Sequence, residues 1–230
     1  AERPVLLVGG GGWTDAGRVH LRSFAERNDL PVVVTFRRHD LFDNTDDRYA
    51  GESGVAMPAA VRRALVEADV VVALNARFGE MATGAYTLFG AGSSERPSGQ
   101  SIIHVHASEA EFGKVVDADR TVHAGPNEMA GALANVDLEG RARWARWRAE
   151  CRAAFLDTLD CPPQLGELDM GEVTAWLRDR LPDDVIVTNG AGNFSVWPNK
   201  FLVYGDRARL LGPQNGTMGY GLPAAVAAKL

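Results

Sequence analysis

Short unbroken runs of apolar residues, each followed by a helix-patterned stretch, constrain this chain more than any other feature. Pro4 to Val8, Val32-Val33-Val34 within 31–36, Val70 to Leu74 and the segment 102–106 are all of this kind. A strand with one wet face alternates apolar and polar residues, whereas a continuous run is buried on both faces. Burial on both faces calls for helices above and below the sheet, supplied by crossovers between parallel strands. The intervening segments fit. Leu21, Phe24 and Ala25 fall at helical spacing in 19–27, as do Val61, Ala64 and Leu65 in 58–67. A short strand at 121–124 precedes a helix at 126–133 that takes Pro126 as its first residue. The expected fold class is therefore α/β, a parallel sheet flanked by helices.

The pattern changes near residue 137. The stretch 137–160 is rich in arginine and carries Trp144, Trp147, Cys151, Ala154 and Phe155 along one helical stripe, so it reads as an amphipathic connecting helix. Glu139, Glu150 and Asp157 interleave with its arginines, as on a solvated face. Cys161-Pro162-Pro163 breaks the chain, and Asp169 with Glu172 three residues on resembles a capping box. The helix this box opens carries Val173, Trp176, Leu177 and Leu181 and stops at Pro182. A strand at 185–187 follows. We therefore expect three parts: a first domain over 1–136, the connecting helix over 137–160, and a partial second α/β domain over 161–230.

Composition narrows the function. With 46% apolar and 23% charged residues the chain can build a core, and a net charge of −6 offers nothing to nucleic acid or to an anionic membrane. No apolar run reaches the length of a membrane span. The opening Ala1-Glu2-Arg3-Pro4 does not read as a signal peptide, and Cys151 and Cys161 lack metal-ligand spacing. A cytoplasmic protein with reduced thiols is expected. His104 and His106 alternate on one strand face without further ligands nearby, so no metal site is expected.

Three glycine-rich turns remain as candidate sites. Gly9, Gly10, Gly11 and Gly12 lie between a strand and a helix, where free N–H groups suit a phosphate or nucleotide, but they lack the full GxGxxG order. A tight structural turn explains them equally well. Gly190 to Asn193 follows a strand in the second unit, where Asn193 either meets a ligand oxygen or satisfies its own turn. The third turn, Gly216 to Gly219, feeds a small-residue helix over 224–230 that has no C-terminal cap. From that uncapped helix we expect the chain to be a piece of a longer protein.

The chain resembles the thiamine-diphosphate-dependent enzymes of the acetolactate synthase and decarboxylase superfamily. Gly216-Thr217-Met218-Gly219-Tyr220-Gly221-Leu222-Pro223-Ala224-Ala225 is similar to a motif of that family, and Gly9-Gly10-Gly11, the stretch 67–77 and Phe112-Gly113-Lys114 resemble parts of its Rossmann-like central domain. The resemblance implies a central domain followed by the start of the diphosphate-binding domain. It implies that Gly216 offers its carbonyl to the cofactor's exocyclic amine. Met218 would offer its N–H to a ring nitrogen and its side chain as the apolar wedge that bends the cofactor. Gly192, Asn193 and Phe194 would lie near the diphosphate. The cofactor itself carries the chemistry on a 2-keto acid.

Asn193-Phe194 departs from the synthase pattern, which has Gln-His there. The Mg²⁺ ligands and the activating glutamate of the family have no counterpart here, so the 230 residues alone are expected to be inactive and their parent a homodimer or homotetramer. Asn75 stands for a glycine, Arg37-Arg38-His39 for Gly-Lys-Gly, and His106 for the acidic ribose partner of flavin-binding members. FAD is therefore not expected, whereas Arg37, Arg38 and His106 would suit a phosphate or a CoA-like nucleotide. The rival expectation is a stand-alone nucleotide-binding or scaffold module using the turn Gly9 to Gly12.

Overall fold

The computed structural model describes residues 1–55, 57–139 and 143–230. Six parallel strands form the main sheet: β1 (Pro4–Val8), β2 (Val32–Thr35), β3 (Tyr49–Ser53), β4 (Val70–Leu74), β5 (Ser101–His106) and β6 (Arg120–His123). Their order is β3-β2-β1-β4-β5-β6, an α/β arrangement of the Rossmann-like kind. Side chains alternate between faces. Val5 and Leu7 enter one core with Val33, Val71 and Ile102, while Leu6 and Val8 enter the other with Val32, Val34 and Val105. Each fully buried Val or Leu contributes on the order of 2 kcal/mol, so the continuous apolar runs are what hold the sheet between its helices.

Helices α1 (Asp15–Asn28) and α3 (Pro126–Leu133) supply Leu21, Phe24 and Ala130 to one face. Thr14 caps α1, its side chain accepting from the Gly17 N–H at 3.0 Å. Helix α2 (Ala59–Glu67) covers the other face with Val61, Ala64 and Leu65. The connecting helix, expected over 137–160, is shorter: α4 spans Ala145–Asp157, and residues 140–142 lie outside the described residues. Its aromatic stripe is buried as expected. The Trp147 indole donates to Pro4 O at 3.0 Å and ties α4 to the first strand, and the Trp144 indole, at the residue before α4, donates to Ala1 O at 2.9 Å ahead of that strand.

Strand β3 is missing from the sequence reading because Tyr-Ala-Gly-Glu-Ser contains no apolar run, yet all five residues are buried. Beyond α4, Asp169 caps α5 (Met170–Arg178) by accepting from Gly171 N at 2.7 Å. The helix ends at Arg178, short of the expected Leu181, and Trp176 on it is exposed. Strands β7 (Ile186–Thr188) and β8 (Arg209–Leu211) pair in parallel, with the short helix α6 (Val196–Phe201) between them. Helix α7 spans Gly221–Lys229. The second unit is fastened to the first by reciprocal bonds, Asn44 N to Tyr204 O at 2.8 Å and Tyr204 N to Asn44 Oδ1 at 3.0 Å. Among the described residues no helix is long and apolar enough to cross a membrane.

Candidate active site

In an open parallel sheet ligands bind beyond the carboxyl ends of the strands where strand order reverses. Here that point lies between β1 and β4. The turn Gly9 to Gly12 leaves β1 at this place, and Asn75 leaves β4 beside it with φ 53°. Asn75 Nδ2 donates to Gly11 O at 2.8 Å, so the side chain folds over the turn. Gly10, at φ 68°, has no room for a Cβ, which would stand 2.3 Å from Asn75 O. A cavity of about 530 Å³ opens in front, lined among others by Gly10, Gly11, Arg38, Arg77 and Gln214. His106 is buried at the end of β5, where its Nδ1 accepts from Ser108 N at 3.0 Å. The His104 and His106 rings share a face 5.8 Å apart, as alternation required. Among the described residues no three His, Cys, Asp or Glu side chains converge on a metal position.

The two glycine turns of the second unit come together. A Cβ on Gly190 would lie 3.8 Å from Gly219 N, and one on Gly221 would lie 3.2 Å from Gly190 N. Thr188 Oγ1 donates to Gly221 O at 2.9 Å, which fixes the start of α7 against the end of β7. Gly216 and Gly219 take φ 72° and 80°, and nothing lies within 4 Å of where their Cβ atoms would be, so this backbone faces open space. Met218 is 81% exposed and Phe194 59% exposed. The Phe194 ring lies over Gly192, 2.6 Å from the position of a Cβ there. Asn193 is exposed on the same turn. Thr217 Oγ1 donates to Asn215 Oδ1 at 2.5 Å and braces the loop internally.

A buried polar cluster joins the two units and was not legible as a site in the sequence. Glu52 on β3 accepts from Arg37 N at 3.2 Å, and its other oxygen stands 3.7 Å from His39 Nε2. Burial pushes the Glu52 carboxyl up to about 8, against the opposing pull of the Arg37 N–H and charge. Burial also pushes the His39 imidazole down to about 4. Both shifts run toward the uncharged form of each group, as burial without a full charge partner requires. His39 packs on the Tyr204 ring at 5.4 Å. The signal for this cluster was the polar run Arg37-Arg38-His39-Asp40 directly after a buried strand. Cys151 is an inert core thiol, raised by burial to about 12.

A strand, a glycine turn and a helix at the sheet's switch point, followed by a second parallel unit with paired glycine turns, define a class of protein. Residues 1–133 match the family model described as thiamine pyrophosphate enzyme, central domain, and the chain belongs to this family. The chain is 32% identical over 234 residues to the acetolactate synthase large subunit of Parasynechococcus marenigrum (strain WH8102), covering 100% of itself and 36% of that protein. It is 30% identical over 234 residues to the acetolactate synthase isozyme 1 large subunit of Escherichia coli (strain K12), covering 39% of it. A probable acetolactate synthase large subunit of Methanocaldococcus jannaschii is 28% identical over 239 residues, again with 39% covered. The chain thus spans well under half the length of these relatives.

Proposed function

We propose that this chain forms the central domain and the first part of the diphosphate-binding domain of a thiamine-diphosphate-dependent carboligase or decarboxylase. The substrate is a 2-keto acid, as in acetolactate synthases. The observation that carries the reading is the convergence of the Gly190 and Gly219 turns beside an exposed Met218. The open backbone of Gly216 and Gly219 fits a ligand that approaches main-chain groups closely. Gly216 would present its carbonyl to the aminopyrimidine, and Met218 its N–H. The Met218 side chain, with no packing role in the core, would be the wedge under the cofactor. Gly192, Asn193 and Phe194 would border the diphosphate, with Phe194 excluding water from one side. When bound, thiamine diphosphate supplies the nucleophilic carbon and the electron sink for decarboxylation.

The proposed division is 1–136, 137–160 and 161–230. Magnesium ligands and the activating glutamate would come from segments outside these 230 residues, which alone would not turn over. The intact protein would be a cytoplasmic homodimer or homotetramer with its sites between subunits. We propose further that it carries no FAD. Asn75 occupies the concave side of the Gly9 to Gly11 turn, and His106 offers no carboxylate to a ribose. The intact protein should decarboxylate or ligate a member of a 2-keto acid panel and show no flavin absorbance. Absence of turnover with every member, despite bound thiamine diphosphate, would count against the substrate class, and stoichiometric flavin would overturn the reading of Asn75 and His106. The second reading, a nucleotide-binding or scaffold module at Gly9 to Gly12, is favoured by Arg38 and Arg77 lining the cavity there. Nucleotide binding without thiamine diphosphate binding would select it.

A further inference from the structure

Arg37 stands just past the end of β2 with φ 59°, in the left-handed region where a bulky side chain is unfavourable. Such a conformation persists only where the surroundings over-determine it. Two contacts hold Arg37 there. Its N–H donates to Glu52 Oε1 at 3.2 Å, and its guanidinium lies 4.7 Å over the Phe36 ring. Neither contact uses the side-chain N–H groups. Arg37 is 4% exposed, and its Nε and Nη1 are buried without a hydrogen-bond partner among the described residues.

The complementary group comes from the second unit. Asn189, at the end of β7, is 6% exposed and donates from Nδ2 to Asn199 Oδ1 at 3.3 Å. Its Oδ1 is buried and has no partner among the described residues. A Cβ on Gly212 would stand 3.0 Å from Asn189 Oδ1 and 3.3 Å from Arg37 Nε. A donor without an acceptor and an acceptor without a donor therefore flank the same glycine. Buried polar groups are almost always paired, directly or through one ordered water.

We infer that Arg37 is a positioning residue, its Nε–H joined to Asn189 Oδ1 through a single ordered water. The link clamps Gly212, the entry to the turn that carries Gly216 and Met218, against the end of the six-stranded sheet. The exit of the turn is already held at the same place, since Thr188 Oγ1 bonds Gly221 O and Gly221 sits on the Asn189 backbone. Both ends of the loop then converge on 188–190, while the residues between remain open. The inference rests on the reading of this turn as the cofactor grip.

The test is a double-mutant cycle in the intact protein with Arg37→Met, Asn189→Leu and the pair, read twice. Thermal midpoints report the link, and thiamine diphosphate titration with Mg²⁺ reports the positioning. Each single substitution should weaken cofactor binding about tenfold, and the pair no more than the worse single. Midpoints should be coupled by about 2 °C or more. Additive midpoints overturn the link, whatever the cofactor does. Coupled midpoints with no cofactor binding by the parent support the link and overturn only the functional reading. Coupled midpoints with undiminished affinity in the singles overturn the positioning role. Inorganic phosphate that raises the parent midpoint but not that of Arg37→Met assigns Arg37 to an anion and overturns the inference. Should Arg37→Met not fold, Arg37→Lys completes the cycle, because lysine has no Nε–H fork to reach Asn189.

Discussion

Replacing Glu52 by glutamine should change the shape of the pH–stability profile. Glu52 is 8% exposed, with its carboxyl pushed up to about 8 from 4.5, and the adjacent His39 is pushed down to about 4 from 6.5. Above pH 6.5 the folded protein holds one proton on Glu52 that the unfolded chain does not, while His39 is neutral in both. Unfolding then releases a proton, and stability falls as pH rises. The loss is about 2 kcal/mol between pH 6.5 and 8, or about 4–8 °C in Tm for a chain of this size. Between pH 4.5 and 6.5 the unfolded chain has lost the Glu52 proton but gained one on His39, so the pair contributes no slope. Glutamine removes only the Glu52 half. The variant should hold its stability from pH 6.5 to 8 and lose stability below 6.5, where the unfolded His39 charges and the folded one does not. Chemical unfolding of both proteins at intervals from pH 5 to 8.5 measures this. Profiles that stay parallel over the whole range would refute the assignment of the buried proton to Glu52.

Trp147→Ala should cost about 3–5 kcal/mol, since it empties the space between α4 and the sheet and frees Pro4 O, measurable by urea unfolding. Gly10→Ala should lower the Tm by several degrees, because its Cβ would meet Asn75 O at 2.3 Å on a backbone at φ 68°. An unchanged Tm would mean that the turn relaxes and that Asn75 does not close it. Cys151 should resist thiol reagents at neutral pH in the folded protein, given its high thiol pKa and burial, and should react once the protein is unfolded.

The sheet was legible wherever a strand had apolar residues on both faces. Pro4 to Val8 and Val70 to Leu74 read as strands because each is a continuous apolar run of strand length, and the sheet buries all five residues of the first and three of the second. Strand β3 was not legible, because Gly51 and Glu52 owe their burial to neighbours far along the chain, Val61 and Arg37 among them. The same reason hid β8, whose Arg209 turns outward to bond Asp15 at 3.0 Å. The stripe that marks α4 starts at Trp144, the residue that caps the helix, so the polar residues on either side of the stripe carried no signal for where the helix stops. The glycine turns were visible as sequence. Their convergence was not, since Gly190 and Gly219 meet only through the pairing of β7 with β8 and the seating of α7. The Arg37, Glu52 and Asn189 cluster escaped because each is an ordinary polar residue until burial removes its water.

The proposal that the turn through Met218 grips thiamine diphosphate is tested most directly by calorimetric titration. Thiamine diphosphate with Mg²⁺ would be added to the protein expressed from its complete reading frame, and to its Met218→Ala variant. Met218 is 81% exposed and supports no core, so the variant should keep the parent Tm. Loss of the apolar wedge should weaken binding by about tenfold or more. Equal affinities for parent and variant, or no binding by the parent, would contradict the account.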